Sequence, residues 1–504
     1  MDISRRSFIK WVIAGAATAS PFGCAPGGKD KGPGAASSAI PEARLGSEAN
    51  KVCHDVRDGL LKSLPPPSRN LDVVVVGGGT SGLAAAERCF GSDYLMLEKD
   101  DHVGGNCWTE SWEGLDYCTG SAWLALENEE VKALFKRWNI DPPIIKGNDS
   151  AHFDGKWIKD FWNSDPDYPS YGQLPYSKTV QEDFRRFIRE TKKLDRVKDA
   201  AKLDAMAFSD LFQGYDPHIQ AYWDTFGPSN WGSATKDTSA LIGLNGVHEW
   251  APCERRTFAG GLGMITRQLY AGFPEDQKKR CVTGATVFSV RREGKRVLVS
   301  FMKDGRPETV SAKAAVIAIP KYMARHVVAD IPEDQAKAMK AMRYAPYLVH
   351  NLCFDKVVWN LNYDNWAVGA RHFTDFIPAD WVTHADGGDL NRKQVITVYA
   401  PKIEAARPDL LDDEEVLEES HATANELISM FPGWADHLRE VRTYRRGHAM
   451  PMSAPGSLTR LQPVTQRDMA PIYFSHSDNC GPVSDMYEAA LGAIKAAAKA
   501  LQHV

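Results

Sequence analysis

The residues in this chain best suited to chemistry are six in a row, Gly77-Gly78-Gly79-Thr80-Ser81-Gly82. They follow Leu71-Asp72-Val73-Val74-Val75-Val76, a β-branched run of the kind buried on both faces of a sheet. They precede Leu83-Ala84-Ala85-Ala86-Glu87-Arg88, a strong helix former. Glycine-x-glycine-x-x-glycine between a strand and a helix is a phosphate cradle. Gly77 permits the tight turn, Gly79 admits a pyrophosphate to the backbone, and Gly82 lets helix and strand pack closely. The amides opening the helix, at Thr80 and Ser81, then face the phosphate charge. A second apolar strand, Tyr94-Leu95-Met96-Leu97, ends at Glu98 and Lys99. Glu98 stands where an acid can accept hydrogen bonds from ribose hydroxyls. Strand, loop, helix, strand and acid in register predict a bound dinucleotide.

That fingerprint does not separate FAD from NAD. Gly104-Gly105-Asn106 just beyond the second strand does more, because a glycine pair lets backbone crowd a cofactor extending past its adenosine half. Here the sequence resembles the flavin-containing amine oxidase superfamily, which includes carotenoid-type desaturases. The resemblance runs over about 70–502. Phe258-Ala259-Gly260-Gly261-Leu262-Gly263-Met264 is similar to a glycine segment of that family. The 282–290 and 296–302 runs resemble its hairpin beside the adenine, placing Val287 there. Ala314 to Pro320 resembles an inner strand. Ile472 to Asp478, then Met486 to Leu501, resemble the closing strand and helix. The resemblance implies FAD as cofactor, a ribityl contact from Asp478, and Ser484 and Met486 at the helix start near the flavin ring. It implies an α/β fold, in which a Rossmann-type FAD-binding domain (70–127, 255–328 and 456–504) interleaves with a mixed α+β substrate domain (128–254 and 329–455).

The sequence departs from the family in places. Asn106 stands where an arginine is usual. Val349 stands where amine oxidases carry a lysine, and Tyr444 where a tryptophan is expected. These changes count against a standard amine oxidase and against use of O2 in particular. Oxidation by flavin needs a dry pocket. Candidate walls are Trp123, Trp231, Trp250 and Tyr444, though most of 14 tryptophans must be packing. Candidate polar groups are His248, Glu249, His350, His448 and Asp485. His448, beside Ala449-Met450-Pro451, is the first choice, followed by His350, Tyr444 and Trp250 as residues near the chemistry. The expected activity is removal of a hydride from a C–N bond of a small amine or amino acid. A desaturase or dehydrogenase of an apolar, isoprenoid-like substrate, passing electrons to an envelope acceptor, is the nearest alternative. A non-catalytic helper flavoprotein is the other.

The elements before the cradle address the chain rather than fold it. Ser4-Arg5-Arg6-Ser7-Phe8-Ile9-Lys10, then Trp11 to Ala17, resembles a twin-arginine signal peptide over 1–24. Ala17-Thr18-Ala19 offers a cleavage site, while Cys24 after Gly23 offers a lipid anchor, so both fates stay open. The expected location is periplasmic or tethered on the outer side of the membrane, with the twin-arginine export machinery as a partner. Residues 25–69 read as a flexible spacer closed by Pro65-Pro66-Pro67, with one short helix within 51–64. The 504 residues carry a net charge of −5 and a pI near 6.3, which excludes a nucleic-acid footprint. Nine cysteines show no CxxC and no metal-ligand spacing. They read as packing residues, and Cys480 as an improbable flavin link.

Overall fold

The computed structural model describes residues 40–46, 50–126, 129–147, 149–251, 253–384, 388–479, 481 and 483–504. The segment read as a signal peptide, Cys24 and Cys480 lie outside them. The strand expected from the valine run spans Asn70–Val76. It lies parallel to Tyr94–Leu97 on one side and to the end of Arg306–Ile317 on the other. Ile472–Phe474 extends the parallel core by pairing with Ala315–Ile317. Ala285–Glu293, Arg296–Lys303 and Arg306–Ile317 form an antiparallel meander, and Cys281–Val282, parallel to Tyr94–Leu97 at the far edge, completes seven strands. Both faces are covered, which is why the strands carry apolar residues continuously rather than alternately. Val73 and Val75 pack with the alanine-rich helices Thr80–Arg88 and Met486–Ala500. Val74 and Val76 pack with Val287, Phe301 and Ala324. Alanines at 490, 493 and 497, fully buried, let the closing helix come up against the phosphate helix.

A second sheet of eight strands supplies the other half of the molecule. Its centre is Tyr344–Phe354, buried along its whole length, between Leu438–Pro451 and Gln394–Pro401. Asp375–Pro378, Asn365–Ala367, Ser150–Phe153 and Lys156–Ile158 follow outward. Helices Lys178–Thr191 and Pro217–Trp231 bring an aromatic cluster against this end, including Phe184, Tyr222, Trp223 and Phe226.

Within the stretch read as a spacer, the short helix expected within 51–64 appears as Asn50–Arg57, and an edge strand precedes it. Ala43–Leu45 adds a parallel edge strand beside Val441–Thr443, and the Gly46 amide donates to the Thr443 carbonyl at 2.8 Å. Helix Asn50–Arg57 then packs on helix Lys321–Val327 through the buried Val56. The glycine and proline runs that bracket this stretch dominate its composition. They conceal a short segment with enough apolar surface to dock once the body is present. Among the described residues no helix is long and apolar enough to cross a membrane. Cys53, Cys89, Cys107, Cys118, Cys253, Cys281 and Cys353 form no disulfide.

Candidate active site

One cavity of about 1680 Å³ runs from the first sheet to the second. That exceeds an ordinary small-ligand pocket, about 300–1,000 Å³, and suits a dinucleotide with a substrate beyond it. At the first end its walls include Gly77, Gly79, Thr80, Ser81, Glu98, Lys99, Gly104, Gly105 and Val287. The helix that opens after Gly79 has no side-chain cap, so its first amides are left for a ligand. Gly104 donates to the Gly78 carbonyl at 2.9 Å, and a β-carbon on Gly105 would stand 3.2 Å from the Gly79 α-carbon. The glycines thus form a floor of bare backbone. Gly82 serves differently: it does not line the cavity, and a β-carbon there would overlap the Gly77 carbonyl. Glu98, 6% exposed, accepts from the Gly78 amide and, at 2.9 Å, from the Asp100 amide. Burial pushes its carboxyl above the ordinary range. A bare helix start, a glycine floor and a buried acid together fit the adenosine diphosphate half of FAD.

At the turn between the sheets, Ser477, Ser484, Asp485 and Met486 line the cavity. Asp478 does not. It is buried one layer behind, where its carboxylate holds the Lys321 ammonium at 3.1 Å, the Lys321 amide at 2.7 Å and the Tyr344 hydroxyl at 2.7 Å. Burial alone would raise the Asp478 carboxyl. The adjacent Lys321 and His476 outweigh it and hold the group below the ordinary carboxylate range. The expected ribityl contact at Asp478 is therefore corrected: the lining residue is Ser477, one position earlier, and Asp478 neutralises a buried lysine. Asp485 caps the closing helix by accepting from the Glu488 amide at 3.0 Å, and burial pushes its carboxyl up to about 8. Asn106 lines the cavity and donates to the Ala449 carbonyl at 2.9 Å. Its own oxygen accepts from Arg446 at 3.2 Å, which brings a guanidinium to the cavity wall beside the asparagine.

The second end is floored by one cross-strand row, Tyr444, Val349, Tyr399 and Asp375, each the register partner of the next. All four line the cavity, with Tyr347, Trp366, Phe226, Ser229 and Trp250 around them. At the near end of the row Tyr444 donates to Glu110 at 2.6 Å and meets the Tyr117 hydroxyl at 2.9 Å. At the far end are carboxylates. Asp364 and Asp375 are both 2% exposed and both reach the cavity. Arg255 forms a close ion pair with Asp149 and stands 3.5 Å from Asp364, under the Trp123 ring. Two buried acids, Asp149 and Asp364, thus share one guanidinium, and the buried Asp375 stands beside them without it. Burial, then the neighbouring acids, push Asp364 well up. Burial raises Asp375 to about 7. One oxygen of Asp364 is buried without a hydrogen-bond partner. An ionised carboxylate here is costly, so the raised acids avoid the charge by holding a proton until a cationic donor arrives.

Of the residues expected near the chemistry, Tyr444, Trp250 and His448 line the cavity. His448 stacks on Tyr322, with centroids 4.0 Å apart, and burial lowers its imidazole to about 4, so it is neutral near pH 7. His350 is a correction. It lies on the opposite face of its strand from Val349, its Nδ1 2.9 Å from the Thr443 hydroxyl, and burial lowers its imidazole to about 3. Side chains alternate across a strand, so a cavity-facing Val349 puts His350 behind the sheet. Of the other candidates, Trp123 and Asp485 line the cavity. Trp231 donates to Thr238 within the core, His248 contacts Thr191, and Glu249 pairs with Arg196. Sequence reasoning missed Asp364, Asp375, Tyr399 and Glu110. A signal was present for the first two: Tyr363-Asp364-Asn365-Trp366 and Phe373-Thr374-Asp375-Phe376 set acids among aromatics, where a solvated acid has no reason to be.

Comparisons with known proteins agree with this geometry. A family model described as flavin-containing amine oxidoreductase matches residues 80–501. Pig flavin-containing amine oxidase A is 23% identical over 321 residues. The match covers 57% of this chain and 57% of that protein, so the chain spans little over half the length of that relative. Wild-type putrescine oxidase bound to putrescine superposes with a TM-score of 0.63 at 17% identity, over 86% of this chain and 98% of that one. Cyclohexylamine oxidase from Brevibacterium oxydans superposes with a TM-score of 0.65 at 16% identity, over 86% and 99%. With its phosphate cradle, its FAD-shaped groove and a family match across most of its length, the chain belongs to the flavin-containing amine oxidoreductase family.

Proposed function

We propose that this protein is an FAD-dependent oxidoreductase that takes a hydride from the carbon next to an amine nitrogen, turning the C–N bond into a C=N bond, with a second cationic group on the substrate held at Asp364 and Asp375. The observation that carries the reading is the buried acid cluster at the far end of the cavity, Asp149 and Asp364 on one guanidinium with Asp375 beside them. An apolar isoprenoid would bury those carboxylates without a partner, whereas an ammonium donates to the vacant Asp364 oxygen and offsets the surplus charge. Val349 and Asp375 are two strand spacings apart, roughly 10 Å. Allowing for side-chain reach, that separation suits the two ends of an aliphatic diamine better than a short monoamine.

FAD supplies the hydride acceptor when bound. The remaining work belongs to the chain. Asp364 and Asp375 anchor the distal ammonium, and Tyr347, Tyr399, Trp366 and Trp250 exclude water from the reacting bond. Asp485, at the start of the closing helix, takes the proton that the reacting ammonium must lose before a hydride can leave its carbon. A carboxyl raised to about 8 is a matched base for that transfer near neutral pH. The acceptor of the electrons is read as an envelope carrier rather than O2, since Val349 brings no cation to the floor of the site. Export through the twin-arginine pathway to the periplasm, or tethering at Cys24, belongs to the same proposal. The test is anaerobic titration of the yellow protein with diamines, monoamines and neutral isosteres, following the flavin band near about 450 nm. Bleaching by diamines ahead of the others supports the reading. Bleaching only by apolar compounds overturns it.

A further inference from the structure

The family match begins at residue 80, yet a segment well before it reaches the cofactor groove. Cys53, His54, Val56 and Arg57, all from helix Asn50–Arg57, line the same cavity as the phosphate loop and Glu98. The charges of this helix act along the groove. Cys53 lies within electrostatic range of Lys99 at the ribose side, Arg57 within range of His326, and His54 within range of His448 toward the second sheet. Eight residues of helix reach about 12 Å, the scale of a diphosphate and its flanking sugars. The preceding strand is fixed independently. Ala43–Leu45 pairs with Val441–Thr443, and a β-carbon on Gly46 would overlap the Tyr444 ring, so this segment backs a residue on the cavity floor.

We propose that strand Ala43–Leu45 and helix Asn50–Arg57 are a built part of the FAD site: a strap across the dinucleotide whose His54 and Arg57 face its diphosphate. The phosphate loop meets that charge with amides and hydroxyls, because Gly77 to Gly82 contain no cation. His54 and Arg57 supply positive charge from the opposite wall. Arg57 is paired with Asp58 at 2.8 and 3.0 Å, but both side chains are half in water. Such a pair has little stability of its own, so the guanidinium can turn to a diphosphate at small cost. The strap lines the groove together with Lys99 and Met323.

The test reads cofactor binding rather than turnover. Deleting residues 40–57 from the full chain raises the FAD dissociation constant at least about tenfold, and free flavin fluorescence appears on gel filtration. His54→Ala combined with Arg57→Ala, which leaves the strap in place, weakens FAD severalfold without changing the melting temperature of the apoprotein. Alkylation of Cys53, followed by peptide mass, is fast in apoprotein and slowed at least about tenfold by FAD, as expected for a helix covered by its ligand. Equal Cys53 labelling with and without FAD overturns the proposal. So does a deletion variant that keeps FAD as tightly as the full chain. Should the deletion fail to fold, the double variant and the Cys53 labelling decide between the same two results.

Discussion

The two ends of the cavity are built from different materials. The cofactor end is backbone: glycines at 77, 79, 104 and 105, the uncapped amides after Gly79, and one buried acid, Glu98. The far end is side chains carried by five strands and a helix, with aromatics around Asp364 and Asp375. Backbone sites recognise what every dinucleotide shares, a diphosphate and a ribose, and tolerate almost no change. Side-chain sites recognise what distinguishes one amine from another, and their charge can be edited without disturbing the cofactor. The division of labour implies that cofactor binding and substrate choice fail separately.

The sharpest break comes from the layer that supports both ends. Asp478→Asn leaves the Lys321 ammonium, which is 0% exposed, without its counter-charge, and costs about 3–5 kcal/mol of stability. A fall in melting temperature, with no fold-specific effect on amine preference, checks it. Gly82→Ala comes next. Its β-carbon would meet the Gly77 carbonyl, and relieving that overlap costs about 1–3 kcal/mol and displaces the helix start. The expected result is protein that is folded but colourless, measured as flavin per chain. At the opposite end, Asp375→Asn keeps full flavin content and raises the half-saturating concentration of diamines by about 30-fold or more, the scale of a buried charge-assisted contact of about 2–3 kcal/mol. Neutral isosteres are unaffected.

The pH dependence sharpens the contrast. Asp375 titrates at about 7 in the folded protein, above the unfolded carboxyl near about 3.9. Between those values the native state binds the extra proton, so this group's contribution to stability declines as pH rises through the window. Binding of a cation prefers the ionised form and releases the proton. Diamine affinity therefore rises as pH increases through about 7, and calorimetry in two buffers of different ionisation enthalpy detects the proton release. The limb disappears in Asp375→Asn. The smallest effect is expected at His350→Gln. Losing its contact with Thr443, behind the sheet, costs about 1 kcal/mol of stability and leaves amine binding unchanged.

The sequence by itself determined the cofactor end, because a cradle made of consecutive residues is local. Gly77 to Gly82, with the valine strand before and the alanine helix behind, can fold in few other ways, and the strands at 94–97 and 394–401 and the helix after Asp412 appear near where their patterns place them. Even there a one-residue uncertainty mattered: Asp478 against Ser477 is the difference between a buried ion pair and a cavity wall. Only tertiary structure decided the rest. The row Tyr444, Val349, Tyr399 and Asp375 joins residues from four strands spread over almost a hundred positions, and no spacing along the chain encodes which strands lie side by side. The same holds for the strap. Its helix is too short to persist alone in water, and it acquires a place only when helix Lys321–Val327 and the groove are there to receive it.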